Sequence, residues 1–283
     1  MKPGTLYKSL ALAVVTSALH APRATAASDG ATAWPSRTLA SLDVCGAPPG
    51  MPAARAKARR LVRQIRSDLA GVEDQIRQVR FVRTVESGAA SLEQIAAVVA
   101  EEYSIVRSNL NSFTQMAARW DTQGSPFFAD LASGEAAALP LVLAFAATVG
   151  LAEADLAAYE PRPAAQTYPS RVAWIAGNAD RAAAAASFLV NFAVFGENMA
   201  RIRDALIEVY RFAPAQIEFF RFFAEPIAGF EDDAIEVIAI GLADGACPVD
   251  ARRSARLLQA YELDFWQAAS EPPGSPLPVH RQP

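Results

Sequence analysis

Residues 181–212 read RAAAAASFLVNFAVFGENMARIRDALIEVYRF. The stretch opens with five alanines and is apolar on nearly every side through Val194. A narrower stripe of Phe188, Phe192, Phe195, Met199, Ile202 and Leu206 continues it, spaced alternately four and three residues apart, which puts those side chains on one helical face. A helix apolar all round belongs in a bilayer or at the centre of a helical domain. The apolar run stops short of the ~20 residues a membrane span needs, and Asn191 interrupts it. The stretch therefore predicts a central core helix and no membrane span.

Outward from that helix the same periodicity recurs. Ala54–Ala70 and Val72–Glu86 read as helices, and Ser91-Leu92-Glu93-Gln94 has the spacing of a capping box that starts a helix reaching Trp120. Pro126 suits the first turn of the next helix, which runs to Val149. Ala152–Tyr159 and Ala164–Ala176 follow, and Asp180 is a natural N-cap for the central helix. Pro214–Phe223, Asp232–Leu242 and Asp250–Ala269 complete the set. No segment alternates at period two, so the fold class is all-α, one domain spanning residues 51–270. The proline-rich tail, residues 271–283, has the composition of a disordered segment.

Residues 1–50 stand outside the helical pattern. Lys2 and Lys8 precede a short apolar run, Ser9–Leu19, and Ala24-Thr25-Ala26 resembles a small-residue cleavage site, the outline of a secretory signal peptide. The rival reading starts translation at Met51, where the first good helical pattern begins. The expected location is cytoplasmic, or periplasmic or secreted if residues 1–26 are a signal peptide. Net charge is −4, and no Lys/Arg cluster interleaves with aromatics, which argues against nucleic-acid binding. Cys45 and Cys247 could in principle pair, but they sit in neither metal-type nor redox-type spacing and read as separate thiols, one in a loop and one near a helix end.

Polar residues on apolar faces carry the functional signal. The stripe Ile95, Val98, Val99, Ile105, Val106, Phe113 and Met116 is interrupted by Glu102 and Asn109. In the last helix Glu262 interrupts Leu258, Phe265 and Ala269. Neither Glu has a Lys or Arg three or four residues away, so no local ion pair is open to them. Ser187, Asn191 and Asn198 share a stripe of the central helix. A buried carboxylate without a charge partner has a raised pKa and can act as acid or base. Two of them facing one interior, with amides and a hydroxyl nearby, would make a polar pocket inside a bundle. Glu197, with Arg201 one turn on, reads instead as an ordinary surface pair, and Phe219, Phe220, Phe222 and Phe223 as core that also walls the pocket.

These residues resemble the thiaminase II/pyrroloquinoline-quinone synthase (TenA/PqqC) family, of haem-oxygenase-like fold. Glu101-Glu102-Tyr103 looks like the signature of its early helix, Gln166-Thr167-Tyr168 like its tyrosine segment, and Phe195-Gly196-Glu197 like the Gly-Glu of its central helix. Tyr261-Glu262-Leu263-Asp264-Phe265-Trp266 resembles its closing pattern. The resemblance implies Glu262 as catalytic acid/base and Glu102 and Tyr168 as ligand-binding residues. Asn109, Ser187, Asn191, Phe188, Phe192 and Phe223 would complete the ligand site. The family's nucleophilic cysteine should fall near Ser187 or Phe188, and no cysteine is there; Phe192 and Phe223 stand where tyrosines are expected. The two histidines, His20 and His280, lie in the leader and the tail, so neither a haem ligand nor a Glu/His di-iron site can be assembled within residues 51–270. The expectation is no cofactor, no metal, and a homo-oligomer that binds a small heterocyclic or aromatic metabolite. It either transforms that molecule by metal-free hydrolysis or transfer, or acts as a non-catalytic ligand-binding or interaction protein.

Overall fold

The order of burial along the central helix explains the architecture. In the computed structural model, which describes residues 45–121 and 126–279, this helix is α7, Arg181–Glu208. Asp180 caps it by accepting from the backbone N–H of Ala183. All five alanines are buried, because a run of small side chains lets neighbouring backbones approach closely. The approach is closest at Gly241 of α9 (Phe230–Ala243), where an added Cβ would sit 2.7 Å from the Cβ of Ala182. Only glycine fits there.

Around α7 pack α1 (Met51–Arg77), α2 (Arg80–Glu86), α8 (Glu218–Ala224), α9 and α10 (Pro248–Ala269). On the other flank α3 (Leu92–Trp120) pairs with α4 (Phe127–Thr148) and α6 (Thr167–Asn178), and α6 also packs on α10. A short α5 (Glu153–Ala158) lies between α4 and α6, and a 3-10 turn, Pro214–Gln216, leads into α8. Among the described residues there is no strand, and all of them fall in one compact unit. The fold is all-α, as the periodicity requires. Ser91 caps α3 with both hydrogen bonds of the capping box in place.

Several boundaries differ from the sequence reading. Gly71 does not break the first helix; α1 continues to Arg77, since one glycine costs only about 1 kcal/mol against alanine and Leu69, Val72 and Ile76 bury on either side of it. The helix before α7 begins at Thr167, after the turn at Arg162–Gln166. By length and composition α4 and α7 could each cross a bilayer, but 72% of the apolar window of α7 is buried inside the domain, as a core helix requires. The corresponding share for α4 is 33%, and its buried face carries Glu135.

Two expectations about the ends are corrected. Cys45 and Cys247 are not separate thiols; they form a disulfide that joins residues 202 apart and ties the chain ahead of α1 to the N-cap of α10. The tail also has something to bury. Leu277 is 7% exposed, Gly274 donates its N–H to the Tyr159 hydroxyl, and Ser275 accepts from the N–H of Glu160. Proline-rich composition reports the lack of helix, not the lack of contacts. The signal-like residues 1–26, His20 and His280 lie outside the described residues.

Candidate functional site

Where α3, α4, α6, α7, α8, α9 and α10 converge they enclose a cavity of about 890 Å³. Its walls are aromatic. Phe192 of α7 stacks on Phe230 of α9 with ring centroids 5.4 Å apart, and Phe195 meets Phe223 edge-on at 5.4 Å. Phe113 and Phe265 add further apolar surface, and Phe222 reaches solvent. The backbone of α8 presses closely on α7 here, a Cβ at Gly196 meeting the carbonyl oxygen of Phe223 at 3.0 Å.

Polar groups enter this aromatic enclosure from five helices. Glu262 is 2% exposed and both of its oxygens accept hydrogen bonds, Oε1 from the indole N–H of Trp266 at 2.7 Å and Oε2 from Asn191 Nδ2 at 3.1 Å. Asn191 also donates to Gln259 Oε1 and accepts from the Tyr168 hydroxyl at 3.0 Å. Asn191 and Trp266 thus fix the carboxyl group, and Tyr168 holds the Asn191 amide from behind. Burial pushes the Glu262 carboxyl up to about 7, with the bonds from Asn191 and Trp266 pulling the other way.

To the same cavity α3 contributes Glu102 and Asn109, and α4 contributes Glu135. Glu102 finds no hydrogen-bond or ion-pair partner among the described residues, and burial, reinforced by the charges of Glu262, Glu135 and Glu101, raises its carboxyl well above the ordinary range. Glu135 accepts from Asn109 Nδ2 at 3.1 Å, and burial lifts it to about 8 against that bond. The mouth is lined by charges already engaged with one another. Arg66 donates to both oxygens of Glu231, and Arg221 to Glu218 and Glu225. Among the described lining residues no cation is therefore left over for the three inner acids.

Of the residues singled out from sequence, Glu102, Asn109, Tyr168, Asn191, Phe192, Phe223 and Glu262 all line this space. Ser187 and Phe188 do not. Ser187 donates to the carbonyl of Ala183 and lies 2.9 Å from the Ser254 hydroxyl, one turn short of the cavity, while Phe188 packs edge-on against Phe113 at 4.9 Å. Glu197 pairs with Arg77 at 2.6 Å, not with Arg201, which turns to Glu86. Glu135 is the residue the sequence reading missed. The other buried acid of α3, Glu101, is neutralised by Arg162 at 3.0 Å and further bound by Tyr159 and Gln166, so it serves the scaffold. Among the described residues no three His, Cys, Asp or Glu side chains are grouped to hold a metal ion.

The sequence profile of the TENA/THI-4/PQQC family matches residues 67–238, more than half of the chain. The chain belongs to that family. Solved TenA structures share the fold: a TenA homologue from Pyrococcus furiosus superposes with a TM-score of 0.60 at 18% identity, covering 74% of this chain and 99% of that one. A TenA homologue from Pseudomonas syringae pv. tomato gives 0.62 at 11% identity, covering 73% and 91%. A domain with a heme oxygenase-like fold from Shewanella denitrificans gives 0.51 at 17% identity, covering 77% and 93%. At such identities the likeness is one of fold, and the TenA relatives carry no chemistry over by themselves. No curated protein matches the chain.

Proposed function

We propose that this TenA-family chain binds a small heterocyclic or aromatic molecule with basic nitrogen in the cavity between its helices, and that Glu262 exchanges protons with it. The observation that carries this reading is Glu262 itself: a carboxyl held by Asn191 and Trp266, lining an aromatic-walled cavity, with a pKa lifted to about 7. Such a group is protonated and ionised in comparable amounts near neutrality, where general acid/base catalysis is most efficient. Protonated, it would hand a proton to a ring nitrogen or a leaving group. Ionised, it would take one from an attacking water.

The chemistry would not run through a serine. Ser187, nearest to the expected position of the family's nucleophile, is bonded to Ala183 and Ser254 and does not line the cavity. Both cysteines are tied in the disulfide. That favours proton-transfer chemistry or binding alone over a covalent intermediate. The test is a thermal-shift screen of pyrimidines, thiamin fragments, quinone precursors and aromatic acids. A ligand that raises the melting temperature of the wild type but not of Glu262→Gln supports the reading, and turnover of the same ligand chooses enzyme over binder. A screen in which no basic heterocycle shifts the wild type overturns it.

We also propose that the protein works in an oxidising compartment, outside the cytoplasm. Disulfides persist there and are rare where thiols are kept reduced, and Cys45–Cys247 supports that placement together with the signal-like leader. Fractionation of cells producing the full chain, with a non-reducing gel of each fraction, tests it. Recovery of fully reduced protein from the cytosolic fraction alone would refute it.

A further inference from the structure

We propose that the side-chain amide of Asn191 is a two-way switch: a proton on Glu262 turns it over, Gln259 turns with it, and the Tyr168 hydroxyl is released to donate into the cavity. This rests on the acid/base reading of Glu262 above, and it makes Asn191 and Gln259 positioning residues for that chemistry.

The hydrogen bonds around Glu262 suit its ionised form. Trp266 presents an N–H to Oε1 and Asn191 presents one to Oε2, so each carboxylate oxygen meets a donor. Asn191 Nδ2 also donates to Gln259 Oε1, and the Tyr168 hydroxyl donates to Asn191 Oδ1. Tyr168, Asn191, Gln259 and Glu262 are all buried, and Gln259 Nε2 has no partner. Once Glu262 takes up a proton the match fails. Its new O–H meets an N–H at either oxygen, donor against donor, and the cavity is its other outlet.

Turning the Asn191 amide over restores it. Oδ1 then accepts from the Glu262 hydroxyl, and Nδ2 donates to the Tyr168 oxygen. Gln259, turned likewise, donates from Nε2 to the same Oδ1, which gives its orphan N–H a partner and strands Oε1 instead. Each arrangement keeps the same number of hydrogen bonds and leaves one atom of Gln259 unmet, so neither locks the amide. The terminal torsions of Asn and Gln are two-fold and an amide oxygen and NH2 differ little in size, so the turn needs no repacking. What separates the two arrangements is the proton on Glu262. The titratable groups facing that carboxyl are Glu102 of α3 and Tyr168 of α6, and Glu135 of α4 acts on both of those. α7 offers it the amide of Asn191 alone, while α1 and α2 meet α10 near its ends, through Asp68 to Arg252 and Arg80 to Ser270.

Glu262 and Tyr168 both line the cavity, each one hydrogen bond from Asn191, at 3.1 and 3.0 Å. With Glu262 ionised, this corner of the cavity accepts hydrogen bonds and Tyr168 is turned away. When Glu262 takes a proton from an N–H or O–H of a bound molecule, the electron pair stays on that atom. The same event frees the Tyr168 O–H to donate to it. Return of the proton turns the amide back. A donor that arrives only as charge develops favours the transfer without tightening the ground state.

Neutron diffraction from deuterated, ligand-free crystals of the full chain tests this, because deuterons tell an amide nitrogen from its oxygen and a carboxylic acid from a carboxylate. Data are collected at acidic and alkaline pD, on either side of the Glu262 value of about 7. At alkaline pD Glu262 should carry no deuteron, Asn191 Nδ2 should face it, and the Tyr168 deuteroxyl should point at Asn191 Oδ1. At acidic pD Glu262 Oε2 should carry a deuteron directed at Asn191 Oδ1. Gln259 Nε2 should face the same oxygen, and the Tyr168 deuteroxyl should point into the cavity. If Glu262 gains its deuteron while Asn191 keeps one orientation at both values, the switch is overturned and the acid/base reading of Glu262 stands. If Glu262 carries no deuteron at acidic pD, both fail.

Discussion

Trp266 donates its indole N–H to Glu262 across 2.7 Å, one turn further along the same helix. The bond stabilises the ionised carboxyl, and it opposes the burial that lifts Glu262 to about 7. Trp266→Phe keeps most of the ring packing against Phe81, Phe195 and Phe265 but removes the donor. The Glu262 pKa is then expected to rise by roughly one to two units, the worth of a hydrogen bond to a charged group. The pH profile of ligand binding or turnover should move alkaline by that amount. An unmoved profile would mean that Glu262 does not set it.

Ligand-free protein should lose stability as pH rises. Glu135, Glu262 and Glu102 all hold their protons more tightly folded than unfolded, so between about 4.5 and 8 the folded state binds more protons than the unfolded one. Stability is then fully present below the unfolded value and declines through the folded ones, by at most roughly 1.4 kcal/mol per pH unit for each group. Glu135→Gln is isosteric and carries no titrating proton. Urea titrations at pH 5, 6, 7 and 8 should show a shallower decline for the variant than for the wild type. A parallel decline would place the cost elsewhere.

How far the sequence disclosed this arrangement depends on whether each signal was local. Glu102, Asn109 and Glu262 stood out because each interrupts a clear apolar stripe on a long helix. Glu135 did not, since α4 carries alanine at positions 129, 132, 136, 137 and 138 and so shows no stripe for a carboxylate to break. Ser187 and Phe188 were placed on the right helix but at the wrong depth, because periodicity reports a face and not how far along it a cavity extends. The disulfide and the Arg162–Glu101 pair join residues 202 and 61 apart, and no pattern within one element could reveal either.

The Cys45–Cys247 bond closes nearly the whole domain into one loop. Chain-entropy reasoning puts its contribution at no more than about 5 kcal/mol, less where the unfolded chain keeps structure. Reduction of the wild type should lower the melting temperature by several degrees. A Cys45→Ala/Cys247→Ala double variant should start at that lower value and ignore reductant. Equal melting of oxidised and reduced wild type would show that the bond leaves stability untouched.

Glu101 and Arg162 form the one ion pair among the described residues in which both side chains are buried, 0% and 7% exposed. Glu101 Oε1 also accepts from the backbone N–H of Arg162 and from Tyr159, and Oε2 from Gln166. The same guanidinium donates to the carbonyls of Ala268 and Glu271, so it fastens the end of α10 and the start of the tail to the turn before α6. Removing one partner strands the other charge in a site built for a pair. Glu101→Gln is therefore expected to cost about 3–5 kcal/mol in urea unfolding. Adding Arg162→Met to Glu101→Gln removes the stranded cation and should recover part of that loss, although the carbonyls of Ala268 and Glu271 then lose their donor. A double variant less stable than Glu101→Gln alone would show that Arg162 matters more as a clamp on α10 than as a counter-charge to Glu101.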